Sequence, residues 1–167
     1  MGIKQNYLAE LEREIASTKK LIACIPNDKW DWKPHEKSAS VGELAKHITE
    51  LTGWTVNIAE KDKLDFRKDY IPLSVTTKED LLNLLDIYAK ECKEALEKFD
   101  DTKWGDKWSL TAGEHVIAEL PKFAAKRFIV NNHIYHHRGQ LSVYLRLLDV
   151  PIPGMYGPSA DENAKTF

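Results

Sequence analysis

Four long segments of this chain repeat their apolar residues every three or four positions, and each is closed by proline, glycine or a charged turn. That spacing keeps the apolar side chains on one face of a helix and is incompatible with the two-residue period of a strand. In residues 5–25, Leu8, Leu11, Ile15, Ile22 and Ile25 form the stripe, with Glu10, Glu12 and Glu14 early, Lys19 and Lys20 late, and Pro26 at the end. This charge order suits the helix dipole, and the proline stops the helix. Residues 40–61 open with Ser40 and Glu43, the spacing of a capping box, and continue through Leu44, His47, Leu51, Trp54 and Ile58. Residues 76–99 open with Thr76 and Glu79 and carry Leu81, Leu85, Tyr88, Cys92, Ala95, Leu96 and Phe99. The fourth helix is predicted over residues 121–148, with Pro121 at its first position.

Between the third and fourth helices the period changes. Trp108 and Leu110, a turn around Gly113, then Val116, Ala118 and Leu120 alternate as a short hairpin would, although Thr111 with Glu114 could instead cap a helix. Ser159 and Glu162 have the spacing to cap one last turn. Trp30 and Trp32 fall in a loop, where they either cap the core or line the mouth of a pocket. The expected fold is therefore all-α: a four-helix bundle in one domain, residues 1–167, with a small hairpin inserted before the last long helix.

Composition bounds the function. With 24 Lys and Arg against 26 Asp and Glu, the net charge is −2, which argues against a general nucleic-acid binder. No apolar run approaches the roughly 20 residues of a membrane span, and residues 1–14 lack the apolar region of a signal peptide. Cys24 and Cys92 lie far apart in apolar patterns and read as reduced core thiols. The expected setting is the cytoplasm.

The histidines carry the chemistry. His47 occupies a core position of the second helix, where a histidine is either hydrogen-bonded to the core or a metal ligand. His133 and His137 are one turn apart and about 40° apart around the fourth helix, a spacing that chelates one ion from one face. Val130, Leu141 and Tyr144 share their stripe, so both imidazoles face the bundle, where a divalent metal would satisfy them together. His136 lies on the other, more polar flank, where it could replace His137, and is left outside the ligand set; His35 and His115 are expected to face solvent. No carboxylate lies in the histidine stripes, Glu43 and Glu50 only flanking His47, so no general base is readable. Gln140 either hydrogen-bonds a ligand or ties helices together, Trp54 and Tyr144 either line a pocket or pack as plain core, and Arg138 is expected to pair with an acid on another helix.

Trp32-Lys33-Pro34, Ser40-Val41-Gly42-Glu43-Leu44-Ala45-Lys46-His47, His133-Ile134-Tyr135-His136-His137-Arg138-Gly139-Gln140-Leu141 and the tail Tyr156-Gly157-Pro158-Ser159-Ala160-Asp161-Glu162 appear in an order that spans the chain. Together they resemble the DinB/YfiT-like superfamily of metal-binding four-helix bundles, in its damage-inducible DinB branch. The resemblance implies an up-up-down-down bundle with a long crossover, and a metal held by His47, His133 and His137. It also implies homodimers and chemistry on low-molecular-weight thiols. The first functional expectation is a metal-dependent enzyme, such as a thiol S-transferase acting on small electrophiles, with a metal-assisted hydrolase as a close variant. The second is a non-catalytic metal- or ligand-binding stress-response protein. The third is a bundle whose histidines only hydrogen-bond. Three imidazoles suit several divalent transition metals, with zinc or nickel foremost.

Overall fold

The computed structural model describes residues 2–162. Four helices form the body: α1 (Ile3–Ala23), α2 (Val41–Glu60), α3 (Lys78–Lys98) and α4, residues 122–147. In α4, three α-helical residues (Lys122–Ala124) lead into a π-helical run, Ala125–Asn131, and then into the α-helical Asn132–Leu147.

The all-α expectation is corrected by a three-stranded sheet, so the fold is mixed. The hairpin strands β2 (Lys107–Ala112) and β3 (His115–Pro121) pair antiparallel, as their alternation suggests. A further strand, β1 (Lys63–Asp65), pairs parallel with β2 in the register Lys63–Ser109, Leu64–Leu110 and Asp65–Thr111. Its backbone continues into the bonds Ser109 N–H to Asp62 O (3.0 Å) and Phe66 N–H to Thr111 O (2.8 Å). Three residues with one apolar side chain carry no readable period, and their partner lies more than forty positions away.

The stripes and their neighbours make the core. The stripe residues Ile22, Leu51, Leu81, Leu85 and Leu141 are fully buried, as are Leu21, Ile48 and Leu145 beside them, and Trp108 of β2 closes the sheet end with its indole N–H on Asn57 Oδ1 at 3.0 Å. The expected α2 capping box forms, with Glu43 N–H on Ser40 Oγ (3.2 Å) and Ser40 N–H on Glu43 Oε2 (2.8 Å). The α3 cap is one residue later than expected: Thr77 rather than Thr76 accepts from Asp80 N–H at 3.2 Å.

Two features hold α2 and α4 in place. The ammonium of the buried Lys122 donates to the Ile58 and Lys61 carbonyls at 3.0 and 2.6 Å, tying the start of α4 to the end of α2. The two helices therefore run antiparallel, which carries His133 and His137 back toward the first turns of α2. At the other end, Val41 and Gly42 N–H groups donate to the Trp32 and Trp30 carbonyls at 2.9 and 2.8 Å. The Trp30 ring lies so close over Gly42 that a Cβ there would sit 2.3 Å from it, so only glycine fits.

Cys24 and Cys92 are both free thiols. Burial pushes the Cys92 thiol up to about 11, and its S–H donates to the Thr52 carbonyl, as suits an inert core residue.

Candidate metal centre

His47 projects from the second turn of α2, and His133 and His137 project from α4 just beyond its π-helical run. A π-helical run bonds each N–H to the fifth residue back, so the helix beyond it is rotated from the position an unbroken α-helix would give. The three rings converge: centroids lie 5.0 Å apart for His47–His133, 4.9 Å for His47–His137 and 4.5 Å for His133–His137. One nitrogen from each ring lies within 4.8 Å of the others, and all three residues are half-buried. His136 is exposed; its ring packs 5.0 Å from that of His137, outside the converging set. His35 and His115 are exposed.

Each ring is held by a second group. Gln140 Oε1 lies 2.7 Å from His137 Nδ1. An amide oxygen only accepts, so this bond places the proton on Nδ1 and leaves Nε2 with its lone pair. Glu50 Oε2 lies 3.5 Å from His47 Nδ1, and the His133 ring hydrogen-bonds the Ile129 backbone one turn back. Oriented imidazoles backed by a carboxylate, an amide oxygen and a backbone group are the arrangement of metal-ligating histidines.

The electrostatics favour neutral rings. Burial, with the His137 and His47 rings beside it, pulls His133 down to about 4. Burial also lowers His137, against the opposing bond from Gln140. Two rings that resist protonation keep their lone pairs available at neutral pH, as a ligand must.

Glu50, expected only to flank His47, instead supports it. It is buried, and its carboxylate also accepts from Tyr70 O–H and from Leu73 N–H, both at 2.9 Å. Burial acts to raise its pKa, but the bonds from His47, the Leu73 amide and Tyr70 outweigh burial and hold it below the ordinary value. A glutamate three residues after a core histidine, between the apolar Ile48 and Leu51, was the available signal. Its other partners come from the loop between α2 and α3, which periodicity does not place.

The remaining candidates separate. Tyr144 meets Trp32 edge-on at 5.9 Å, so one loop tryptophan packs against the helix that carries His133 and His137. Trp54 turns to the loop instead, against Phe66 (5.5 Å) and Tyr70 (6.5 Å). Arg138 is buried and pairs with Glu14 of α1. It also donates to the Glu14 carbonyl (3.1 Å), Thr18 Oγ1 (3.3 Å) and Tyr156. Its work is to bind α4 to α1 and to the tail, beside the site rather than in it.

A family model, the DinB family, matches residues 1–166. The chain belongs to the DinB family. Among relatives of this DinB chain, the uncharacterized protein YrdA of Bacillus subtilis (strain 168) is 24% identical over 160 residues, covering 96% of this chain and 92% of YrdA. A solved DinB-like protein from Bacillus cereus ATCC 10987 superposes with a TM-score of 0.71 at 20% identity, covering 91% of this chain and 97% of that one. The DinB-like protein YjoA of Bacillus subtilis gives a TM-score of 0.67 at 21% identity, over 89% and 95% of the two chains. At these identities the two structures support the DinB fold. No helix among the described residues is long and apolar enough to cross a membrane.

Proposed function

We propose that His47, His133 and His137 of this DinB protein hold one divalent transition metal ion, zinc or nickel foremost, and that the protein is a metal-dependent enzyme acting with a small thiol. The observation that carries this reading is the convergence of three imidazoles whose outer contacts are already taken by Glu50, Gln140 and the Ile129 backbone. When bound, such an ion supplies Lewis acidity and open positions for a thiolate or a water. The chain's own residues then bind and orient. Gln140 and Glu50 fix the His137 and His47 rings. Arg138 and Lys122 hold α4 in the register that brings its histidines to α2. Tyr144, seven residues past His137 and about 10 Å along the same helix face, packs edge-on against Trp32.

The reaction class that fits is addition of a thiol sulfur to a small electrophile, the new C–S bond replacing the bond to a leaving group such as halide and the thiol proton passing to solvent, with metal-assisted hydrolysis as its variant. The test is turnover by the metal-loaded protein with small thiols and an activated aryl halide, beside His47→Ala. Turnover that needs both metal and His47 supports the enzyme reading. Full metal occupancy with no turnover across thiols and ester substrates favours the alternative, a non-catalytic metal-binding stress-response protein. A homodimer, also proposed, would cover Val143 and Leu147, which lie exposed four residues apart on α4.

A further inference from the structure

Glu50 stands between two environments. One side of its carboxylate meets His47; on the other, the loop after α2 folds back and leaves a cleft of about 410 Å³ between α2, that loop and α3. This is the size of a small-molecule site. None of the three histidines lines it.

Its walls are aromatic. Trp54 and Tyr70 meet edge-to-face across 6.5 Å, and Tyr88 of α3 lies against Gly53, where a Cβ would come within 3.3 Å of the ring. Glycine at 53 thus lets Tyr88 close the far wall. Leu64 and Leu73 add apolar surface. Around these sit Glu50, Glu60, Asp69 and Glu91, against a single cation, Lys61. Asp69 spends one oxygen on the Asp65 amide at 2.9 Å; Glu60 and Glu91 are exposed on facing helices. The faces of aromatic rings carry negative charge, so walls and rim favour the same sign of ligand.

We propose that this cleft binds a small organic cation, an ammonium or guanidinium group on an apolar body. The aromatic walls take the body and the cationic head, and Glu60 and Glu91 face the charge from either side. An anionic ligand would meet four carboxylates and one lysine. The proposal goes beyond the metal reading and does not depend on it.

The test uses the full chain, metal-free and metal-loaded, with benzylammonium as probe and benzyl alcohol and benzoate as its neutral and anionic counterparts. Binding is followed by NMR at the Trp54 indole N–H and the Gly53 and Leu73 amides. The expected result is saturable shifts with benzylammonium, about tenfold weaker for the other two, and weaker again at high salt. The exposed double variant Glu60→Gln/Glu91→Gln should weaken the probe by roughly fivefold while leaving the spectrum folded. His133→Ala should bind the probe as the parent does, which separates this outcome from any failure of the metal reading. Equal binding of all three compounds, no binding of benzylammonium, or an unaffected double variant would overturn the proposal.

Discussion

Glu50 Oε2 lies 3.5 Å from His47 Nδ1 while the other oxygen of the same carboxylate is fixed by the Leu73 amide at 2.9 Å. One buried side chain therefore ties a triad histidine to the loop after α2, and the orientation of that histidine depends on how the loop folds. Replacing Glu50 by Gln keeps the size of the group but removes the negative charge behind His47. Zinc affinity, measured by competition with a chromophoric chelator, should fall about 10- to 100-fold. Tyr70→Phe, which removes one donor to Glu50, should act in the same direction and less. Unchanged affinity in Glu50→Gln would show that His47 needs no support from it.

The low pKa of His133 makes the metal-free protein acid-sensitive. Its folded value, about 4, lies below the ordinary 6.5, so between those values the unfolded chain binds the extra proton. The stability that comes from a neutral His133 is complete above about pH 6.5 and is lost as the pH falls toward 4. His137, shifted the same way, adds to the slope. Thermal melts of metal-free protein across this range should show Tm falling, and the fall should be shallower in His133→Gln. A parallel pH profile in that variant would place the sensitivity elsewhere.

Arg138 binds three parts of the chain at once: α1 through Glu14 and Thr18, α4 on which it sits, and the tail through Tyr156. Removing one partner of a buried ion pair strands the other, so Arg138→Ala should cost about 3–5 kcal/mol in urea unfolding. That is a large part of the stability of a domain of this size. A loss below about 1 kcal/mol would mean that Glu14 finds solvent without penalty.

Gly42 is pressed against Trp30 at the start of α2. Gly42→Ala should displace the ring and cost about 1–3 kcal/mol, with a shift in tryptophan emission as the indole moves toward water. Alanine at the parent's stability, with unchanged emission, would contradict the contact.

Periodicity found the helices because each buries one stripe, and the stripe residues Leu11, Ile15, Leu51, Leu85 and Leu141 are where the core lies. It placed His47, His133 and His137 on inward faces for the same reason. The features it missed depend on contacts between distant segments. The strand Lys63–Asp65 exists through its backbone bonds to β2, so an all-α reading could not foresee it. The π-helical run in α4 is set by hydrogen-bond register, which apolar spacing does not encode. Glu50 looked like a flanking charge because its partners, Tyr70 and Leu73, come from a loop without a period. Trp54 shares a stripe with His47 yet turns to Phe66 and Tyr70, since the loop offers it an aromatic neighbour.

That three imidazoles from two helices form one metal site is tested most directly by elemental analysis. The protein is untagged, loaded with zinc or nickel and freed of excess, beside His133→Ala shown by circular dichroism to be folded. The expected result is about one equivalent of metal per chain in the parent, lost in the variant. Equal metal in both, or none in the parent after loading, would contradict the site and leave the histidines as hydrogen-bonded residues of a helical core.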